Sequence, residues 1–124
     1  MKDSNKMVWA GRVLSVITVL VLLMSAAMKF VKPAGFAEGL KGIGWDPEAM
    51  TYVGIVELAS AVLYAIPKTS VLGAILIAAY LGGATATHAR VGEQIVIPVL
   101  LGVVAWLGLW LRDKRLREVL PVVG

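Results

Sequence analysis

The stretch AMTYVGIVELASAVLYAIP, residues 49–67, is apolar throughout apart from a few hydroxyls and one acid, Glu57, near its middle. A carboxylate in a run of this kind is costly in hydrocarbon and needs a partner or a task. Three further apolar runs, at about 7–30, 69–89 and 95–111, fill most of the chain. With ~1.5 Å of rise per residue, each covers most or all of a hydrocarbon core of ~30 Å. The reading is an all-α integral membrane four-helix bundle, one four-span domain over residues 1–124.

Composition points the same way. The chain is 59% hydrophobic and 16% charged, with a mean hydropathy of +0.84, which a soluble globule of this length would not carry. Cysteine is absent, so disulfides, thiol relays and thiolate metal sites are excluded.

The cations are unevenly placed. Lys2, Lys6, Arg12, Lys68, Arg112, Lys114, Arg115 and Arg117 flank one side of a four-span arrangement, while Lys29, Lys32, Lys41 and Arg90 flank the other. By the positive-inside rule, both termini and the turn at 67–68 are expected in the cytoplasm. Trp9, Trp106 and Trp110 fall near that same boundary, where indoles anchor. The basic tail at 112–117 then reads as a topology determinant touching anionic membrane lipid, with no nucleic acid as partner. The first run has a basic start and Ser25-Ala26-Ala27 like a cleavage site, but its length suits a span better than a signal core. A bacterial plasma membrane is the expected location.

The segment 31–48 is the one long connection, expected on the outer side. Phe36, Leu40 and Ile43 share a helical face, which predicts a short amphipathic helix ended by Gly42 and Gly44. Asp46-Pro47-Glu48 forms a helix start: cap acid, proline in the first turn, second acid. The turn at Pro67-Lys68-Thr69 permits only a tight hairpin, with Thr69 or Ser70 capping the next helix. Ala74, Ala78, Gly82 and Ala86 recur every four residues and predict a close-packing stripe, against neighbouring spans or a second copy.

In this topology the polar residues gather at the outer end. Lys29 ends the first span, Glu57 lies ~12 Å into the second, and Thr85, Thr87, His88 and Arg90 end the third. Glu57, Ser60 and Tyr64 share one face, and Tyr80, Thr87 and His88 another. These nine residues are the expected ligand-binding set, with Glu57 and His88 as the candidate acid–base pair. The plainer reading stands beside it: Lys29 and Arg90 snorkel to the interface, Glu57 forms a structural pair, and the tyrosines pack with a hydroxyl partner. One His without motif-spaced carboxylates makes no metal site, and no phosphate loop, H-E-x-x-H or C-x-x-C is present.

Met24-Ser25-Ala26-Ala27-Met28-Lys29-Phe30, Gly54-Ile55-Val56-Glu57-Leu58 and Gly82-Gly83-Ala84-Thr85-Ala86-Thr87-His88-Ala89-Arg90 together resemble the DoxX-like family of small four-span membrane proteins. The resemblance runs through nearly the whole chain. It implies a four-helix membrane bundle and, through the relative that names the family, an association with thiosulfate–quinone oxidoreduction. Some members are linked to membrane-bound oxidative-stress assemblies. With no cysteine, redox work here would require a bound quinone or a partner's cofactor.

Three function classes follow. The first is a binding or accessory protein with an outer-half polar pocket for a lipophilic molecule such as a quinone or lipid. The second is a structural assembly subunit, with a membrane protein partner or as a homo-oligomer. The third is an enzyme on a lipophilic substrate using the Glu57–His88 pair. No cofactor is evident, and a quinone is the candidate.

Overall fold

The computed structural model describes residues 5–123, and every regular element among them is helical. The order is α1 Asn5–Val31, α2 Phe36–Lys41, α3 Ala49–Ala65, α4 Ser70–Arg90, α5 Val96–Arg112 and α6 Lys114–Val119, with a 3-10 turn Pro67–Thr69 joining α3 to α4. The four long helices match the four apolar runs to within a residue or two. Lys2, counted in the charge asymmetry, lies outside the described residues.

The long helices form a ring. α1 packs on α3 and α5, and α4 packs on the same two from the opposite corner. Each turns one face inward at three- and four-residue steps: Gly11, Ser15, Thr18, Leu22 and Ala26 on α1, and Met50, Gly54, Glu57, Ala61 and Tyr64 on α3. Leu22, Ala61, Tyr64, Ala74, Ile77, Leu81, Ala105 and Leu109 form the core. The outward faces are as apolar as the core: Val16, Leu20 and Met24 on α1, and Val96, Leu100 and Val103 on α5, are each more than half exposed. Such a surface suits lipid and not water. α1 and the helical stretch Pro67–Arg90 are long and apolar enough to cross a membrane, while α3 and α5 are apolar helices of 17 residues, the lower limit for a span.

Two close approaches set the packing. At Gly73 a Cβ would run into the backbone of Tyr64 and Leu63, so α4 lies directly on the end of α3. Across α1 and α5, a Cβ on Gly11 would stand 2.6 Å from Gly108 O, and one on Gly108 2.9 Å from Ser15 Oγ. Of the two uses expected for the stripe on α4, packing against neighbouring spans is corrected here. Ala74 is buried, but Ala78, Gly82 and Ala86 are exposed, and a Cβ on Gly82 would meet nothing. A four-residue step advances roughly 40° per repeat around a helix, so the stripe rotates out of the inward face of Ser70, Gly73, Ala74, Ile77 and Leu81.

The caps also differ in part. Asp46 Oδ1 accepts from Glu48 N–H at 3.1 Å as a cap should, but regular α3 begins only at Ala49. Thr69 and Ser70 look backward: their hydroxyls donate to Leu63 O and Tyr64 O, satisfying the free carbonyls at the end of α3 in place of capping α4. α6 was not anticipated. Its cap is Asp113, whose carboxylate accepts from Arg115 N–H at 3.0 Å, and Leu116 tucks inward against the core.

The Arg115 guanidinium, bound to the Asp113 carboxylate, holds that acid below its usual range. A depressed folded value means stability that is present above the unfolded one, about 3.9, and lost as pH falls through the lowered value. Asp113→Ala should cost about 1 kcal/mol, as cap removal typically does. As pH falls through that lowered value the two proteins should converge in thermal midpoint; a gap that stays constant throughout the acid range would show that the carboxylate is not the cap.

Candidate functional site

Glu57 faces α1 one turn after Gly54, where a Cβ would stand 3.1 Å from Lys29 Cβ and 3.3 Å from the Phe30 ring. The glycine lets the two helices close on each other. Lys29 Nζ then donates to Glu57 Oε1 at 2.9 Å and to Ser25 Oγ at 2.8 Å. Glu57 is 1% exposed. Beside the pair stands Tyr80 of α4, with its ring centroid 5.8 Å from Nζ. An ammonium has three donors, and Ser25 and Glu57 engage two of them. The ion pair is therefore a neutral, hydrogen-bonded unit, the form in which two charges tolerate an apolar interior.

Lys29 opens onto a cleft of about 440 Å³ between α3 and α4, roofed by α2 and the loop after it. Val53, Val56, Ala79 and Ala84 line its walls, Phe36, Leu40 and Trp45 its roof, and Tyr80, Thr87 and His88 join Lys29 as its polar residues. Gly83 also lies on the wall, and a Cβ there would meet nothing within 4 Å. The cleft is thus apolar with a few convergent polar groups, the usual make-up of a small-molecule site.

Two helix ends hold the roof. Gly44 (φ 77°) closes α2 with Trp45 N–H on Leu40 O and Gly44 N–H on Lys41 O, and Gly92 (φ 76°) closes α4 with Glu93 N–H on His88 O and Gly92 N–H on Ala89 O. Both are left-handed glycine stops of the same pattern. Arg90 ties them together, donating from Nη2 to Ile43 O at 2.7 Å.

The nine expected residues do not form one layer. Lys29, Tyr80, Thr87 and His88 line the cleft, and Glu57 lies behind Lys29, off the cleft wall. His88 meets Glu93, Nδ1 to Oε1 at 3.0 Å, not Glu57. The acid–base pair is therefore not assembled: the turn at Gly92 returns Glu93 to the ring first. Arg90 serves the loop. Ser60 and Thr87 donate to their own helix at Val56 O and Gly83 O. Thr85 does the same at Leu81 O and lines a shallow groove between α4 and α5 instead.

Tyr64 belongs to the opposite end. Fully buried, it donates to Ala105 O and meets Ser15 Oγ at 3.0 Å. Arg112 Nε donates to Ser15 Oγ at 2.9 Å, and its guanidinium lies 5.4 Å from the Tyr64 ring centroid. Polar groups were expected to gather at the outer end, but Arg112, bound to Ser15, folds back along the bundle and makes a second polar centre here. The signal was present in the sequence as Ser15, Tyr64 and Arg112, but only the packing of α1 on α5 joins them.

No group of three or more His, Cys, Asp or Glu able to hold a metal ion occurs among the described residues. Helices with apolar outward faces, and a buried Glu57 neutralised by Lys29, are those of a helical membrane protein. Residues 13–108 match the family model described as DoxX-like, and the chain belongs to that family. No curated protein matches it, and neither does any solved structure.

Proposed function

We propose that this protein crosses the bilayer four times, with both termini cytoplasmic, and binds a lipophilic molecule bearing a hydrogen-bond acceptor, a quinone or a lipid, in the cleft above Lys29. The observation that carries the reading is the cleft itself: apolar walls converging on an ammonium whose charge is already balanced by Glu57. Lys29 contacts the ligand and Glu57 positions Lys29; His88 and Thr87 stand at the mouth. A balanced ammonium offers a donor without demanding an anion, which suits a carbonyl or hydroxyl headgroup.

A second reading, an assembly subunit, draws on the exposed Ala78, Gly82 and Ala86 of α4, small residues that would let another helix approach. The two readings use different faces.

Trp45 supplies a test, because it sits on the cleft while Trp9 and Trp110 lie at the other end. In a variant with Trp9, Trp106 and Trp110 changed to Phe, a short-tailed quinone should quench Trp45 saturably. Gly83→Leu, which fills the cleft, should abolish the saturable part. Equal quenching in both would mean bulk partitioning and would contradict a quinone site.

A further inference from the structure

The end of the bundle opposite Lys29 carries a second cleft, of about 610 Å³, between α1 and the α3–α4 turn. Its mouth holds two guanidiniums, Arg12 from the first turns of α1 and Arg112 from the last turn of α5. Arg12 lies 5.4 Å from the ring centroid of Trp9, which fixes it at the rim. Arg112 is held by Nε on Ser15 Oγ. Ser15 is locked in turn: Tyr64 spends its one proton on Ala105 O, so Ser15 must donate to Tyr64 and accept from Arg112.

The contrast with the other end decides the matter. There, the buried cation has its carboxylate. Here, neither arginine has an acid within ion-pair distance among the described residues, and Arg112 bonds no protein acceptor beyond Ser15. An exposed guanidinium, Arg12, and a half-buried one, Arg112, therefore converge on a cleft with no counter-charge among the described residues, a fork shaped for phosphate oxygens. Below the cations the cleft continues along α1 past Val16, Val19 and Leu20, an apolar track of acyl-chain character.

The geometry points to a site for one anionic phospholipid, its phosphate between Arg12 and Arg112 and one acyl chain along α1. The assignment rests on the membrane placement of the bundle and not on any occupant of the cleft above Lys29. In cytoplasmic orientation it faces the leaflet that carries the anionic lipid.

The test is native mass spectrometry of the full chain in mild detergent, titrated with phosphatidylglycerol, phosphatidylcholine or inorganic phosphate. Wild type should hold one phosphatidylglycerol in preference to phosphatidylcholine. Arg12→Gln, at an exposed position that the fold does not need, should weaken it about fivefold, and Arg12→Gln with Arg112→Gln by about the square of that. Arg12→Lys should restore most of the loss. Equal retention of the two lipids, or an Arg12→Gln protein that binds as wild type, overturns the proposal. So does displacement of the lipid by millimolar phosphate alone, which would make the site one for free phosphate. Gly83→Leu separates the two clefts, since it should leave this lipid bound.

Discussion

Glu57→Gln should lower stability by about 3–5 kcal/mol, the usual cost of stranding one member of a buried pair. The lysine left behind keeps Ser25 as a partner but loses its counter-charge where its side chain is only 14% exposed. Lys29→Met should cost a comparable amount through the stranded Glu57. The double change Lys29→Met/Glu57→Leu should recover most of the loss or exceed wild type, because an apolar pair of similar volume avoids the desolvation of both ions. Thermal midpoints of wild type, Lys29→Met, Glu57→Leu and the double variant in one detergent form the cycle. Additive losses would show that the two side chains do not act as a unit. The double variant carries the functional corollary: folded, it should no longer bind at the cleft, which separates the role of the pair in binding from its role in stability.

Gly73→Ala should be the most damaging single methyl in the chain. Its Cβ would meet the backbone of Tyr64 and Leu63, and backbone cannot step aside as a flexible side chain can. Overpacking of a core costs about 1–3 kcal/mol, and this site belongs at the top of that range. Gly82→Ala, in the same helix, meets nothing and should gain a few tenths to about 1 kcal/mol from helix propensity. The two substitutions remove the same kind of residue from one helix, so opposite shifts in thermal midpoint isolate the hairpin contact. Shifts of the same sign would place α4 differently against α3.

Much of this architecture is legible in the chain because a membrane leaves few options. Apolar runs of helical length, one long connection and one tight turn gave the helices to within a residue or two. The same constraint made Lys29 and Glu57 natural partners, since a carboxylate so placed must find a cation. What the sequence did not reveal depends on turns and on side-chain reach. Glu93 takes His88 because Gly92 reverses the chain in one residue. Arg112 reaches Ser15 because Gly11 and Gly108 bring α1 and α5 together, a contact between the two ends of the chain. Tyr64 shares a helical face with Glu57, yet seven residues of rise, roughly 10 Å, carry it to the other polar centre. α6 has one cap, one buried leucine and hydrogen bonds from Arg117 to Trp110 O and Leu111 O, none of which makes a period in the sequence.

Both polar centres obey one rule. Each anchors a cation by side chains of adjacent helices and presents it to a cleft, but among the described residues only Lys29 is neutralised by a carboxylate. A neutral headgroup suits the first and an anionic one the second. This division gives the small bundle two chemically distinct ends.

The most direct measurement is native mass spectrometry of gently extracted wild type beside Gly83→Leu, with the released small molecules identified. Gly83→Leu blocks the upper cleft while leaving Lys29, Glu57 and the lower cleft intact. The account predicts a defined lipophile on wild type that is missing from the folded variant. Wild type and variant with the same bound molecules would contradict it.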